Sequence, residues 1–289
     1  MAALRSKEAV AVRRRDDGEG VSGGAPGPPD PPGPAGSAGS AGDDVRLSGR
    51  DAERDRARAT DLITEGIQGA GPAEVPGRLC AVAVKLLPVT GASVSLRSDG
   101  MPVQLTASNE QAAHVAEIQA TLGDGPCMEA AHTGAPVLAG DLDGDRDAGR
   151  WPVFAQQATE AGVRALYSIP LGSDTVCVGT LDLCSDTPGD LTSGELSTAR
   201  LVAGVMTVAL MALPREEENG LTGNGPWLSG LASDHDEVYQ AVGMIMVQLG
   251  VGADEALARL RGHAFAHGRT ALEVAHEVVS HRKRFGRDR

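Results

Sequence analysis

The sequence predicts an α+β architecture: an antiparallel sheet flanked by helices, followed by a small all-α module of three helices. Three observations carry this. Between residues 60 and 213, pairs of short strands joined by tight turns alternate with helices. Between Val238 and His281, three short amphipathic segments follow one another. Pro214 to Ser233, rich in Gly, Pro and charge, separates the two regions. The boundaries therefore read as a tail over 1–57, an α+β domain over 58–213, a linker over 214–228, a helical module over 229–285 and a basic tail over 286–289.

Taken in order, residues 1–57 read as a disordered tail. Ser22 to Gly42 consists of Ser, Gly, Ala, Pro and Asp, which bury too little apolar surface to offset the entropy of ordering. Arg13-Arg14-Arg15 is a run that can touch RNA, but on composition alone a solvated tail is the commoner meaning of such a run. From Val45 to Arg58 charges of both signs alternate and lead into a helix at Thr60. Leu79, Val82, Ala83 and Leu86 mark a helix, and strands follow at Ala92–Arg97 and Val103–Ala107 across a Ser-Asp-Gly turn. Ser108, with Gln111 three residues on, caps a helix that runs to about Ala120. A strand at Pro136–Leu142 and a helix at Trp151–Ala161 come next. Val163–Leu171 and Val176–Leu183 form a hairpin through Gly172-Ser-Asp174, and the capping box Thr192-Ser-Gly-Glu195 opens a helix to Leu213. Trp227, in the linker segment, is free to dock on either neighbour.

In the C-terminal module, Val238, Ala241, Val242, Ile245 and Leu249 fall at helical spacing on one face, and Gly250 closes that helix. The second helix begins near Gly252, with Asp254 and Glu255 where carboxylates suit exposed N–H groups. Ala256, Leu257, Leu260 and Ala264 form its apolar stripe, and Gly268 ends it. Thr270-Ala-Leu-Glu273 is a second capping box, after which Leu272, Ala275 and Val279 line an inner face with Val278 beside them. Three helices this short bury little area and gain from an attached partner.

Composition narrows the function. The formal charge of −13 argues against a protein that coats nucleic acid, because phosphate binding draws on concentrated Lys and Arg. From Gln240 to Arg289, however, eight Lys and Arg face five Asp and Glu, a net +3 that leaves −16 for the rest. A small basic output segment on an acidic body fits that asymmetry. Cys80, Cys127, Cys177 and Cys184 lack CxxC spacing and the density of a disulfide scaffold. With no run of eighteen apolar residues and no signal-peptide core, the expected setting is cytoplasmic, with no membrane contact.

Resemblance adds to this reading. Gln240-Ala-Val-Gly243 through Met246, Leu249-Gly250-Val251, Asp254-Glu255-Ala256, Leu260-Arg261 with Ala264, Arg269, and Ala275 with Val278 resemble the ANTAR domain, an RNA-binding output module of transcription antitermination regulators. The preceding order of elements, with Gly123-Asp-Gly-Pro-Cys127, Gly134-Ala-Pro-Val137 and Asp141-Leu142, resembles a GAF domain, a sensory fold. The resemblance implies a regulator in which a GAF sensor, receiving an unknown small-molecule or protein signal, controls binding of hairpin RNA near a terminator. A homodimer is compatible with it. The residues it nominates for RNA are Arg261, Arg269, Gly243 and Arg259, with Tyr239 and Phe265 available for stacking on splayed bases. Two positions depart from the family: Val242 stands where a Lys is usual, and Thr270 where a second is. Val242→Lys is expected to restore the family's cation. Those departures favour the alternative, a signalling adaptor that uses its three helices for protein contacts.

Catalytic readings are weaker. Cys127, near a helix start, suggests a redox thiol, weighed against a small buried packing residue. Asp141, Asp143, Asp145 and Asp147 resemble a calcium loop but lack its spaced Gly and terminal Glu, so a solvated acidic loop is expected. His263 and His267 share a helix face, yet Phe265 replaces the Glu of a zinc motif. No metal, no cofactor and no enzyme activity is expected.

Overall fold

The computed structural model describes residues 40–98, 101–173, 176–212 and 233–286. The linker, Trp227, the Ser-Asp-Gly turn, the centre of the second hairpin and the end of the basic tail lie outside the described residues. The first helix, α1 (Ser40–Ile67), starts ahead of the boundary expected near residue 58. The sequence accounts for this: Glu53 and Arg56, and Asp55 and Arg58, alternate in sign three residues apart, which supports an exposed helix, and Ala59 and Ile63 then bury. Helix α1 thus overlaps residues 40–57 of the stretch read as a tail, and residues 1–39 of that stretch lie outside the described residues.

Five strands follow: β1 (Gly91–Ser98), β2 (Met101–Ala107), β3 (Val137–Ala139), β4 (Ala165–Ser173) and β5 (Val176–Ser185). They form one antiparallel sheet in the order β2-β1-β5-β4-β3. Strand β3 is shorter than predicted, because after Ala139 the chain leaves the ladder and Leu142 N bonds only to Arg164 O. Successive residues of a strand point to opposite faces, so the central strands feed two interiors. On one face α2 (Val75–Leu86) and α7 (Ser193–Met211) cover Val94, Leu96, Ile169, Leu181 and Leu183 with Leu79, Ala83, Val202 and Met206. On the other lie α3 (Glu110–Leu122), α4 (Pro126–Thr133), the short α5 (Asp145–Arg150) and α6 (Pro152–Glu160), around Val115, Ile118, Trp151, Phe154 and Leu166.

The predicted capping box at Thr192 and Glu195 opens α7. Ser108 does not cap α3: Asn109 does, its side chain accepting from Ala112 N. The Ser108 hydroxyl instead accepts from Ala92 N across the sheet, so the expected cap is displaced by one residue. Helix α7 is the one described helix long and apolar enough to cross a membrane; the bent pair Glu237–Leu249 and Ala253–Ala266 qualifies only taken together. Its Ala199, Val202, Ala203, Met206 and Leu210 are spent on the domain core.

The C-terminal module consists of α8 (Ser233–Leu249), α9 (Ala253–Ala266) and α10 (Ala271–Val279). Gly250 and Gly268 take positive φ at the two breaks, +71° and +61°, the left-handed conformation that glycine adopts without strain. The expected stripe of α8 is buried throughout. In α10 the buried set is Ala271, Val274, Ala275 and Val278, with Leu272 and Val279 half-buried, a rotation from the expected inner face. The cause lies next door: α10 also packs its start against α3, which draws Ala271 into the interior. The core of the module accordingly includes Ala120 of α3.

Candidate functional site

Helix periodicity puts Arg259 and Arg261 on α9 and Gly243 on α8, and Arg269 precedes the capping box of α10. Gly243 is exposed, with open space where a side chain would stand, so a backbone or base can approach there. Arg259 is exposed and reaches Glu255 one turn back at 3.4 Å. Arg261 is half-buried, and burial lowers its pKa. Its Nε donates to Ala120 O at 3.0 Å, 141 residues away in sequence. Arg269 donates to Glu277 at 2.8 Å, which raises its pKa, and has Glu273 at 3.8 Å. It borders a groove shared with Phe265, His114, Ile118 and Thr121. Arg261 therefore turns to α3, Arg269 is held by Glu277 and Glu273 of α10 at the edge of the groove, and Gly243 and Arg259 are exposed.

Of the two aromatic candidates, Phe265 is about half exposed beside that groove, whereas Tyr239 packs against the core of the sheet domain. Val242, the position of the missing cation, lies in the module core at 9% exposure. A Lys there must thread its stem out past apolar neighbours. Thr270, the other departure, caps α10.

The second face of the sheet holds a site that the sequence did not single out. Asp182 on β5 lies beside Ser93 of β1 and Ser168 of β4 in the strand register, and Thr180 lies beside Ser95. All five side chains are buried. Gln119 of α3 reaches down into this nest: Nε2 donates to Asp182 Oδ2 at 3.3 Å, and Oε1 accepts from Cys127 N at 2.8 Å. Burial pushes the Asp182 carboxyl up to about 6, against smaller opposing effects of Ser168, Gln119 and Thr180. Ser168 Oγ and Asp182 Oδ1 complete no hydrogen bond of good geometry. A cavity of about 110 Å³ opens alongside, lined by Ser95, Thr180, Cys127, Met128, Arg97 and His132 among others. Arg97 Nη1 donates to Ala131 O at 3.3 Å and so bridges β1 to α4. The signal that could have found this nest is the alternation of Thr180-Leu-Asp182-Leu, polar at every second residue of a central strand.

Cys127 sits in the first turn of α4, where a helix N-terminus would acidify an open thiol. Burial and then Asp182 outweigh that effect and raise its pKa well above the ordinary value. The thiol stays protonated, as a packing group would. The acidic loop is internally engaged: buried Asp147 accepts from Asp141 N and pairs with Arg146, and Asp143 pairs with Arg164. His263 and His267 stack at 4.0 Å, and His267 Nδ1 meets His263 O. Among the described residues, no three His, Cys, Asp or Glu side chains converge as metal ligands would.

A family model of the GAF domain matches residues 70–211, and one of the ANTAR domain matches residues 230–279. A search of curated proteins found no match. Among solved structures, the GAF domain of a phosphoenolpyruvate-protein phosphotransferase from Coxiella burnetii is 13% identical. The likeness covers 55% of this chain and 94% of that one, with a TM-score of 0.44. A free methionine-R-sulfoxide reductase from Neisseria meningitidis is 16% identical over 55% of this chain and 89% of that one, with a TM-score of 0.41. These distant likenesses add nothing to the family matches.

Proposed function

For a chain that carries a GAF domain followed by an ANTAR domain, we propose a signal-responsive transcription antitermination regulator. A small-molecule or protein signal at the GAF domain controls binding of hairpin RNA near a terminator by the ANTAR module. The observation that supports control, as opposed to mere tethering, is the bond from Arg261 of the output module to Ala120 of the sensor. The protein acts in the cytoplasm, where its RNA is made, with a homodimer as one way to present two modules. It is not an enzyme in this reading: the protonated, buried Cys127 suits packing better than thiol chemistry. Methionine-sulfoxide turnover by the wild type that is abolished in Cys127→Ser would overturn that part.

Filter-binding titrations of the full-length protein against hairpin RNA and duplex DNA at several salt concentrations test the RNA reading. Wild type should prefer the hairpin. Arg269→Ala leaves one phosphate without its cation and should flatten the slope of log affinity against log salt by about 0.7 to 0.9. No hairpin preference at any salt sinks the reading. The adaptor alternative then leads, and one observation already favours it: both usual Lys positions are committed to structure, Val242 to the core and Thr270 to a cap.

A further inference from the structure

The last turn of α3 serves two neighbours with three consecutive residues. Gln119 points inward and ties together Asp182 on the sheet and the Cys127 amide that opens α4. Ala120 offers its carbonyl, one of the four that a helix end leaves without an intrahelical partner, to Arg261 Nε. Thr121 Oγ1 accepts from Ala271 N at 2.9 Å, at the first residue of α10. A guanidinium at a helix C-terminus is also favoured by the helix dipole. The fit is close on both sides. A Cβ at Gly123, which ends α3 at φ +66°, would stand 2.6 Å from the Arg261 guanidinium, and one at Gly125 would stand 2.8 Å from Gln119.

We propose that this turn is an autoinhibitory clasp. It holds the three-helix module against the sensor with Arg261 withdrawn, and the seating of Gln119 in the polar nest sets whether it holds. The inhibitory role rests on the RNA reading above; the clasp itself does not. Gln119 shares one helical turn with Ala120 and Thr121, so anything that reseats its side chain shifts the two groups that grip the module. The cavity lined by Cys127 and Thr180 meets that side chain through one residue, Cys127, whose amide Gln119 holds, so a ligand that moves Cys127 would reseat Gln119. Two sites then bias one docked-or-released equilibrium, which is the physical content of coupling.

Amide hydrogen exchange on the full-length protein tests this directly. Thr121→Val removes the acceptor for Ala271 N and leaves the module unchanged. Without that hydrogen bond, of about 1 kcal/mol, exchange over residues 268–273 should speed up by about fivefold. Gln119→Met keeps the length of the side chain, removes both of its bonds and touches no residue of the module; it should speed exchange over the same residues. Should Gln119→Met lose cooperative unfolding, Asp182→Ala withdraws the acceptor alone and takes its place. Unchanged exchange in Thr121→Val overturns the clasp. A response to Thr121→Val with none to the variants in the nest overturns the coupling. Hairpin titration of the same variants separates the two proposals. Tighter binding than wild type supports inhibition, and faster exchange with wild-type affinity overturns it. Faster exchange with no hairpin binding in any variant overturns the RNA reading and keeps the clasp as a gate for another partner.

Discussion

The two faces of the central sheet are built from alternate residues of the same strands, yet they have opposite chemistry. Towards α2 and α7 the strands present Val94, Leu96, Ile169, Leu181 and Leu183, all apolar. Towards α3 and α4 they present Ser93, Ser95, Ser168, Thr180 and Asp182, all buried. Burying polar groups costs stability unless each finds a partner. The first face is what holds the domain together; the second forgoes part of that stability to keep a buried polar nest.

The largest effect should come from the apolar face. Leu183→Ala removes a fully buried side chain and should cost about 2–5 kcal/mol by chemical denaturation, equally at pH 5 and pH 8. A pH-dependent loss would mean that the two faces are not independent.

Asp182→Asn on the other face should act with the opposite sign. Its folded pKa of about 6 lies above the ordinary 3.8, so between these values the folded state binds more protons than the unfolded one. Stability from this group is therefore complete at low pH and falls as pH rises through about 6. Replacement by Asn should stabilise the protein at pH 8 by at most about 3 kcal/mol, with the gain gone near pH 4. Destabilisation at pH 8 would show that the carboxylate is held charged by partners stronger than those seen here.

Carried into the C-terminal module, the comparison gives a third test. That interior is apolar like the α2 and α7 side, so Val242→Lys should destabilise the module by about 1–2 kcal/mol, read as a lower thermal midpoint. The smallest effect belongs to Ser168→Ala. It removes a group that lowers the Asp182 pKa, so it should cost under about 1 kcal/mol at pH 8 and nothing measurable at pH 4.

What was legible in the sequence was local. Both capping boxes, the glycine breaks and the stripe of α8 depend on neighbours within four residues, and they stand where the pattern put them. What was not legible depends on partners far along the chain. Ser108 reads as a cap until Ala92 claims its hydroxyl, and the six residues of α5 are hidden in an acidic loop too short for periodicity. The nominated cations show the same division. Helical spacing places Arg261 on α9, but nothing near it in sequence announces the carbonyl of Ala120. Asp182 escapes notice because a lone acid in a strand means little until the three strands beneath α3 are assembled.

The thiols carry a consequence for how the sensor meets oxidants. Cys80 is pushed up to about 12 and Cys184 to about 11, chiefly by burial, and Cys127 is raised with them. Peroxides attack thiolates, so these three buried sulfurs should react slowly at physiological pH. Cys177, half-buried with its thiol turned to Gly179 O, is the fourth and the first that an alkylating reagent should reach. A single maleimide dye should therefore label Cys177, in the groove it shares with Ala203 and Thr207 of α7, and report on that end of the sheet.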